Sequence, residues 1–169
     1  MSYDKHYFLW RYLNAFTTAM GKKNWVGLHY IDLCAGAGIQ RLKGSNQLEW
    51  GSPLLAAQAK RPFDGLHLCE KSKKKGDALR ERLKQFQQPA DPQLVAGDAN
   101  KNVTKIVNVI PLGALSLAFL DPNGLHLHFS TLDGAGTCGT EDRSNHLLPG
   151  SPRCTAKLGT LQEEPRLQS

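Results

Sequence analysis

One stretch near the start of the chain combines an acid with two closely spaced glycines. The apolar residues before Asp32 have the character of a buried strand, and Gly36 and Gly38 follow in a Gly-x-Gly turn. Glycine has no Cβ and tolerates positive φ, so the backbone after such a strand can pass close to a bound nucleoside. The pattern therefore indicates a nucleoside-binding turn at the edge of a sheet.

Three further acids, Glu70, Asp98 and Asp121, come at or near the ends of later apolar runs. Each has a structural interpretation that stays open: Glu70 as an acid at a helix N-terminus, Asp98 as an N-cap, and Asp121 as the start of a turn. Gly36 and Gly38 can likewise form a plain tight turn. The repetition of acids at successive strand ends nevertheless favours one shared site.

These positions depend on an alternation of helices and strands. Apolar spacings of three and four predict helical faces, and Ser52-Pro53 is typical of a helix start. Helices are predicted over 5–20, from 52 to before Pro62, over 72–86 and over 101–110; strands over 25–33, 66–69, 93–96 and 114–120; and a polar loop over 39–51. This order predicts an α/β fold with a parallel sheet, whose ligands lie beyond the carboxyl ends of the strands.

The four strand ends fit a pocket for S-adenosylmethionine (SAM). The first glycine loop, with Ala35, would accommodate the methionine and ribose portion. Glu70 can accept hydrogen bonds from both ribose hydroxyls, as an acid does in dinucleotide folds. Asp98 and Ala99 suit adenine, with the carboxylate near the exocyclic amine and backbone N–H near a ring nitrogen.

A nicotinamide-dependent oxidoreductase is the disfavoured alternative. In a dinucleotide site the glycine loop opens directly into a helix that faces the pyrophosphate. Here the next helix is predicted to begin only near residue 52, and Arg41 stands where the third glycine of G-x-G-x-x-G is expected.

The composition limits the number of domains, the partners and the cellular location that can be expected. The chain has 169 residues, enough for one domain, and its formal charge of +6 is compatible with a nucleic-acid partner or with ordinary solubility charge. Its four cysteines show no C-x-x-C spacing, so no metal site is expected, and the use of free cysteine favours a cytoplasmic location. No signal peptide or apolar run of membrane-spanning length is present, so no membrane association is expected.

The chain changes character after about residue 132. Residues 133–169 contain no Ile, Val, Met or aromatic residue and are rich in Gly, Ser, Thr and Pro. We therefore expect an α/β domain over 1–132 and a low-complexity, largely disordered tail over 133–169. A flexible extension would explain the change, but a shifted reading frame or truncated gene is the preferred hypothesis, and it would leave strand four as an uncovered edge.

The run from Tyr30 to Gly38 resembles motif I of class I SAM-dependent methyltransferases. Together with Gly51-Ser52-Pro53-Leu54, Glu70-Lys71, Gly97-Asp98-Ala99-Asn100 and the run from Leu117 to Leu125, it resembles the three-Cys-motif partner protein family, TcmP, over about residues 5–132. The resemblance implies a Rossmann-like methyltransferase fold, here incomplete with strands one to four only, and a partnership with a three-Cys-motif protein. Residues 133–169 do not resemble the family's continuation.

Asp121-Pro122 also resembles the start of the D/N-P-P-Y/F motif of amino-methyltransferases, in which the aromatic stacks on a flipped base. Asn123 and Gly124 replace the second proline and the aromatic, so stacking at this position is lost. The resulting hypothesis is a SAM-dependent methyltransferase acting on nucleic acid. Asp121, Pro122 and Asn123 would lie at the transfer point, and Asp32, Ala35, Gly36, Gly38, Glu70, Asp98 and Ala99 at the cofactor. A non-catalytic SAM-binding or partner-binding remnant is the first alternative.

Overall fold

The protein is an α/β structure in which helices alternate with strands. The structure, a computed structural model, describes residues 3–41, 46–121, 128 and 155–158. In chain order the elements are α1 (Tyr3–Met20), β1 (Leu28–Asp32), β2 (Ile39–Arg41), β3 (Leu48–Trp50), α2 (Ser52–Ala57), β4 (Gly65–Glu70), α3 (Lys73–Leu83), β5 (Gln93–Ala96), α4 (Ala99–Asn108), β6 (Leu115–Phe119) and β7 (Thr155–Leu158). The predicted helices and the four predicted strands are confirmed.

The main sheet has the strand order β5-β4-β1-β6-β7, and every neighbouring pair is parallel. The chain moves outward from β1 to β4 and β5, and then returns to the other side of β1 with β6. This reversal is the topological switch point of a Rossmann-like sheet, where a crevice opens beyond the carboxyl ends of the strands. Asp32 ends β1 at this point and is in register with Phe119 of β6.

Side chains of the central strands alternate between two apolar layers. Tyr30 of β1 is fully buried against the layer of α1, α2 and α3, and its neighbour Ile31 is fully buried in the layer that contains α4. Because both faces are covered, β1, β4 and β6 are buried along their whole length. The carboxyl edge is therefore fixed by a rigid support on both sides.

Helix α1 is amphipathic and begins at the carboxyl edge. Leu9, Leu13 and Phe16 are buried against the sheet, whereas Tyr7 and Phe8 are exposed. Within the described ranges, no helix combines the length and apolar character that a bilayer span requires.

The predicted polar loop over 39–51 contains a short antiparallel hairpin, β2 and β3. The hairpin docks on α1 through His6, whose Nδ1 lies 2.9 Å from Glu49 Oε2 and whose Nε2 lies 2.7 Å from the Gln40 amide nitrogen. Strands of three residues are too short to show a period, and the hairpin is held by a contact with a distant helix. For these reasons the sequence pattern did not reveal it.

The expectation of strands one to four only is corrected by β7, which pairs in parallel with β6 from Ser116 to Phe119. An edge strand presents unpaired N–H and C=O groups, and β7 satisfies those of β6 over this length. The rest of the predicted tail, residues 133–154 and 159–169, lies outside the described residues, and the tail's predicted disorder remains a prediction there.

Candidate functional site

The four predicted acids all lie along the carboxyl edge of the sheet, at or just after the ends of β1, β4, β5 and β6. Asp32 ends β1 and Asp121 follows β6, the two strands that flank the switch point. Burial is the main cause that raises the pKa of Asp32, and repulsion by the charge of Asp121 adds to it. The acids therefore belong to one edge, but their hydrogen bonds show that they perform different tasks.

Asp32 is a buried carboxylate surrounded by donors. Its Oδ2 accepts from the hydroxyl of Ser52 at 2.6 Å and from that of Tyr30 at 3.3 Å, and its Oδ1 accepts from the backbone N–H of Cys34 at 3.0 Å. Burial raises the pKa of Asp32 to about 6, against the lowering effect of these hydrogen bonds. Through these hydrogen bonds the carboxylate holds the turn after β1. Its negative charge, when ionised, lies beneath this turn and away from water.

Gly36 and Gly38 both adopt positive φ, at +66° and +79°, but they differ in their surroundings. A Cβ on Gly36 would meet no heavy atom within 4 Å, whereas a Cβ on Gly38 would stand 2.8 Å from Leu79 Cδ1 and 3.1 Å from Leu54 Cγ. Gly38 is therefore required by packing. Gly36 borders open space at the switch point, which is where a ligand is expected.

We expect Gly38→Ala to destabilise the protein more than Gly36→Ala. Both variants place a side chain in the left-handed region, at a cost of about 1–2 kcal/mol. Gly38→Ala also overpacks the contact with the fully buried Leu79, which adds roughly 1–3 kcal/mol. Urea unfolding of both variants measures the difference, and equal free energies of unfolding would contradict the packing role of Gly38.

Glu70 connects the glycine turn with the start of α3. Its Oε2 accepts from the N–H of Gly36 at 2.8 Å, and its Oε1 accepts from the N–H of Ser72 at 2.7 Å. Ser72 is the N-cap of α3, where its hydroxyl accepts from the N–H of Lys75. Each carboxylate oxygen has a further lone pair, so Glu70 can still accept from hydroxyls of a ligand beside Gly36.

Ala35 and Ala99 hold the loops by packing and backbone contacts. Both are buried, and the N–H of Ala35 donates to the carbonyl of Cys69 at 3.0 Å, which ties the glycine turn to β4. Ala99 packs in the apolar layer of α4. Each contributes backbone rather than side-chain chemistry to the edge.

Asp98 is the N-cap of α4, and its side chain accepts from the N–H of Asn100 at 2.9 Å. Its other oxygen lies 3.8 Å from Lys71 Nζ. The structural alternative stated for Asp98 is therefore observed. An interaction with adenine would use the remaining acceptor capacity of a carboxylate that already caps a helix.

Asp121 forms an ion pair with Lys5 of α1, with Nζ and Oδ1 2.7 Å apart. Both side chains are largely buried, at 24% and 19% exposure, so the contact is shielded from water. Sequence reasoning missed Lys5, because no strand-end pattern marks a lysine in the first helix. The other two predicted transfer residues, Pro122 and Asn123, lie outside the described residues.

Two cysteines lie at the same edge and are poor nucleophiles. Burial raises the pKa of Cys34 to about 12 and that of Cys69 to about 11, with further contributions from neighbouring acids. Since the thiolate is the reactive form, a thiol chemistry at this edge is disfavoured near neutral pH. Over the part of the chain that the structure describes, no cluster of three or more His, Cys, Asp or Glu side chains is placed to hold a metal ion.

Comparison with known proteins finds a similarity among solved structures but no family. No family model matches the chain, and no curated protein matches it. Among solved structures, the chain is similar to the crystal structure of a DUF519 protein from Legionella pneumophila strain Philadelphia 1, with 18% sequence identity and a TM-score of 0.49. The similarity covers 79% of this chain and 60% of that protein, so this chain spans three fifths of its neighbour's length.

Proposed function

We propose that the chain is a SAM-dependent methyltransferase-like domain of the TcmP family. The observation that carries the proposal is Gly36, which has positive φ, open space beside it and an N–H bound by Glu70, at the switch point of a parallel sheet. This arrangement lets a nucleoside approach the backbone closely at Gly36 and supplies an acid beside it.

The residues of the edge fit SAM by their chemistry. The turn from Ala35 to Gly38 would lie along the methionine and ribose portion, Glu70 would accept from the ribose hydroxyls, and Asp98 with Ala99 would border adenine. SAM supplies an electrophilic methyl group on a positively charged sulfonium. The buried charge of Asp32 beneath the turn favours a cation at this position, because charges interact strongly where water is excluded.

Asp121 is the candidate group for the methyl acceptor. Lys5 contacts Oδ1, and Oδ2 is then the oxygen that can orient an acceptor amine or take up its proton. Catalysis would depend mainly on positioning, because methyl transfer needs the acceptor in line with the sulfonium. Nucleic acid is the proposed acceptor class, and a three-Cys-motif protein is the proposed partner.

We expect Glu70→Ala to weaken SAM binding by about 10-fold to 100-fold, because hydrogen bonds to a charged group contribute about 1.5–3 kcal/mol. Isothermal titration calorimetry of the full chain measures this loss. Glu81→Ala is the matched control, since Glu81 is 69% exposed on α3 and pairs with Lys84, the residue that caps the end of this helix. Glu70→Gln, which keeps the shape of the side chain, separates loss of charge from loss of the support to Gly36 and Ser72. Unchanged affinity in Glu70→Ala would contradict the assignment.

A second candidate function is a SAM-binding module without turnover. It is favoured by the ion pair of Asp121 with Lys5, because this contact already occupies the carboxylate that would orient the methyl acceptor. SAM binding without methyl transfer to nucleic-acid or protein pools would support this candidate. Binding of NADH without SAM would instead support the oxidoreductase, although the hairpin between Gly38 and α2 separates the glycine turn from a helix start.

A further inference from the structure

Two aromatic rings are exposed side by side on the outer face of α1. Tyr7 is 47% exposed and Phe8 is 58% exposed, and their ring centroids are 5.9 Å apart in an edge-to-face arrangement. The guanidinium of Arg11 lies 5.7 Å from the centroid of the Tyr7 ring. We call Tyr7, Phe8 and Arg11 the α1 platform.

The α1 platform begins beside the candidate transfer site. Lys5, which pairs with Asp121, precedes Phe8 by three positions, and residues three apart on a helix are surface neighbours. His6, between Lys5 and Tyr7, fixes the same turn of α1 to the hairpin through Glu49. The exposed rings are therefore held by a firmly anchored helical turn.

A turn of exposed lysines lies at the same carboxyl edge of the sheet, beside the acids described above. Helix α3 also begins there, and its first turn is Lys73, Lys74 and Lys75, all exposed and without an acidic residue in that turn. Cations at a helix N-terminus are repelled by the helix dipole, so this placement is locally unfavourable. Lys73 is within 3.5 Å of Asp77, and no other acid in the described ranges pairs with this turn. An anionic partner would offset the repulsion.

We propose that the α1 platform stacks unpaired bases of a single-stranded nucleic acid, whose phosphates are attracted by Arg11 and the lysines of α3. Exposed aromatic rings combined with cations are the features by which proteins bind single strands. Aromatic rings and arginine are also common at protein interfaces, but lysine is depleted there, so the exposed lysines of α3 favour a nucleic acid over a protein partner. That the bound nucleic acid lies next to Asp121 rests on the proposed function, whereas binding of the nucleic acid to the α1 platform does not.

Fluorescence anisotropy of a labelled oligothymidylate of about 12 nucleotides tests this inference on the full chain. We expect Phe8→Ala to weaken binding by about 10-fold, the effect of losing one base–aromatic stack. Arg11→Gln should lower the dependence of log affinity on log salt by about 0.7, the contribution of one phosphate contact on a single strand. Leu112→Ala is the matched control, because Leu112 is 86% exposed and precedes β6 at the opposite edge.

A duplex of the same length should bind more weakly than the single strand, since its bases are already stacked. Equal oligonucleotide affinity for Phe8→Ala and Leu112→Ala would overturn the proposal. So would a change in sedimentation with Phe8→Ala at unaltered oligonucleotide affinity, which would assign the face to a protein contact. SAM titration of the same variants keeps the two proposals separate: a chain that binds the strand through Phe8 but not SAM would retain the platform and lose the methyltransferase assignment.

Discussion

Replacing Asp32 by asparagine is expected to make the protein's stability rise with pH. The pKa of Asp32 is about 6 in the folded protein and 3.8 in the unfolded chain, so the folded state retains a proton that the unfolded state has lost. The stability that Asp32 contributes to the wild type is therefore present below pH 4 and is lost as the pH rises through about 6. From pH 4.5 to 7.5 the free energy of unfolding of Asp32→Asn should rise by about 2 kcal/mol relative to that of the wild type.

Urea unfolding of both proteins at the two pH values measures this change. Asparagine suits the site, because its oxygen can accept from Cys34 and the hydroxyls of Ser52 and Tyr30 can accept from its amide. Asp77→Asn on the exposed face of α3 is the matched control, because it makes the same substitution away from the buried site. A constant difference between Asp32→Asn and wild type at all pH values would show that Asp32 is not desolvated.

The same substitution also examines the proposed ligand. A buried carboxylate favours a positively charged sulfonium over an uncharged thioether. Asp32→Asn should therefore weaken binding of SAM more than binding of S-adenosylhomocysteine, as measured by calorimetry at pH 7.5. Equal losses for both ligands would separate Asp32 from the proposed sulfonium position.

Replacing His67 by phenylalanine is expected to produce the opposite pH dependence. His67 of β4 and His29 of β1 are buried and stacked, with ring centroids 5.1 Å apart and His67 Nε2 2.9 Å from His29 Nδ1. Burial, followed by repulsion from His29, lowers the pKa of His67 to about 4, and burial also lowers that of His29 against the opposing charge of Asp64. The unfolded chain binds the proton at higher pH, so wild-type stability falls as pH drops from 6.5 towards 4.

When the pH is lowered from 7.5 to 4.5, the free energy of unfolding of His67→Phe should therefore fall by about 2 kcal/mol less than that of the wild type. Phenylalanine retains a planar ring beside His29 and removes Nδ1 of His67, a buried atom without a hydrogen-bond partner in the described part of the chain. His67→Gln is a second variant that does not titrate and can keep a hydrogen bond to His29. If both variants kept the wild-type pH dependence, the pair would not be the source of acid sensitivity.

These two groups have overlapping pH windows with opposite signs. In the wild type, the cost of ionising Asp32 as pH rises is offset by the recovery of the neutral histidines. Each single variant removes one of the two opposing effects. Its free energy of unfolding therefore shows a pH dependence that is offset in the wild type.

Much of the sheet was predictable because its signals are local. The apolar runs ending near Asp32, Glu70, Ala96 and Leu120 are continuous in the chain, and each became a strand of the main sheet. The hairpin and β7 were not predictable in this way. They are segments of three or four residues whose pairing depends on His6 and on the open edge of β6, respectively.

The sequence by itself determined which residues meet at the carboxyl edge, because parallel strands bring their ends together wherever an acid or glycine follows an apolar run. Tertiary structure alone decided what each residue does there. It buried Asp32 and raised its pKa, left open space at Gly36, used Asp98 as a cap and brought Lys5 to Asp121. Desolvation, free volume and ion pairing arise from neighbours that are distant in the chain, and no local pattern of residue types contains them.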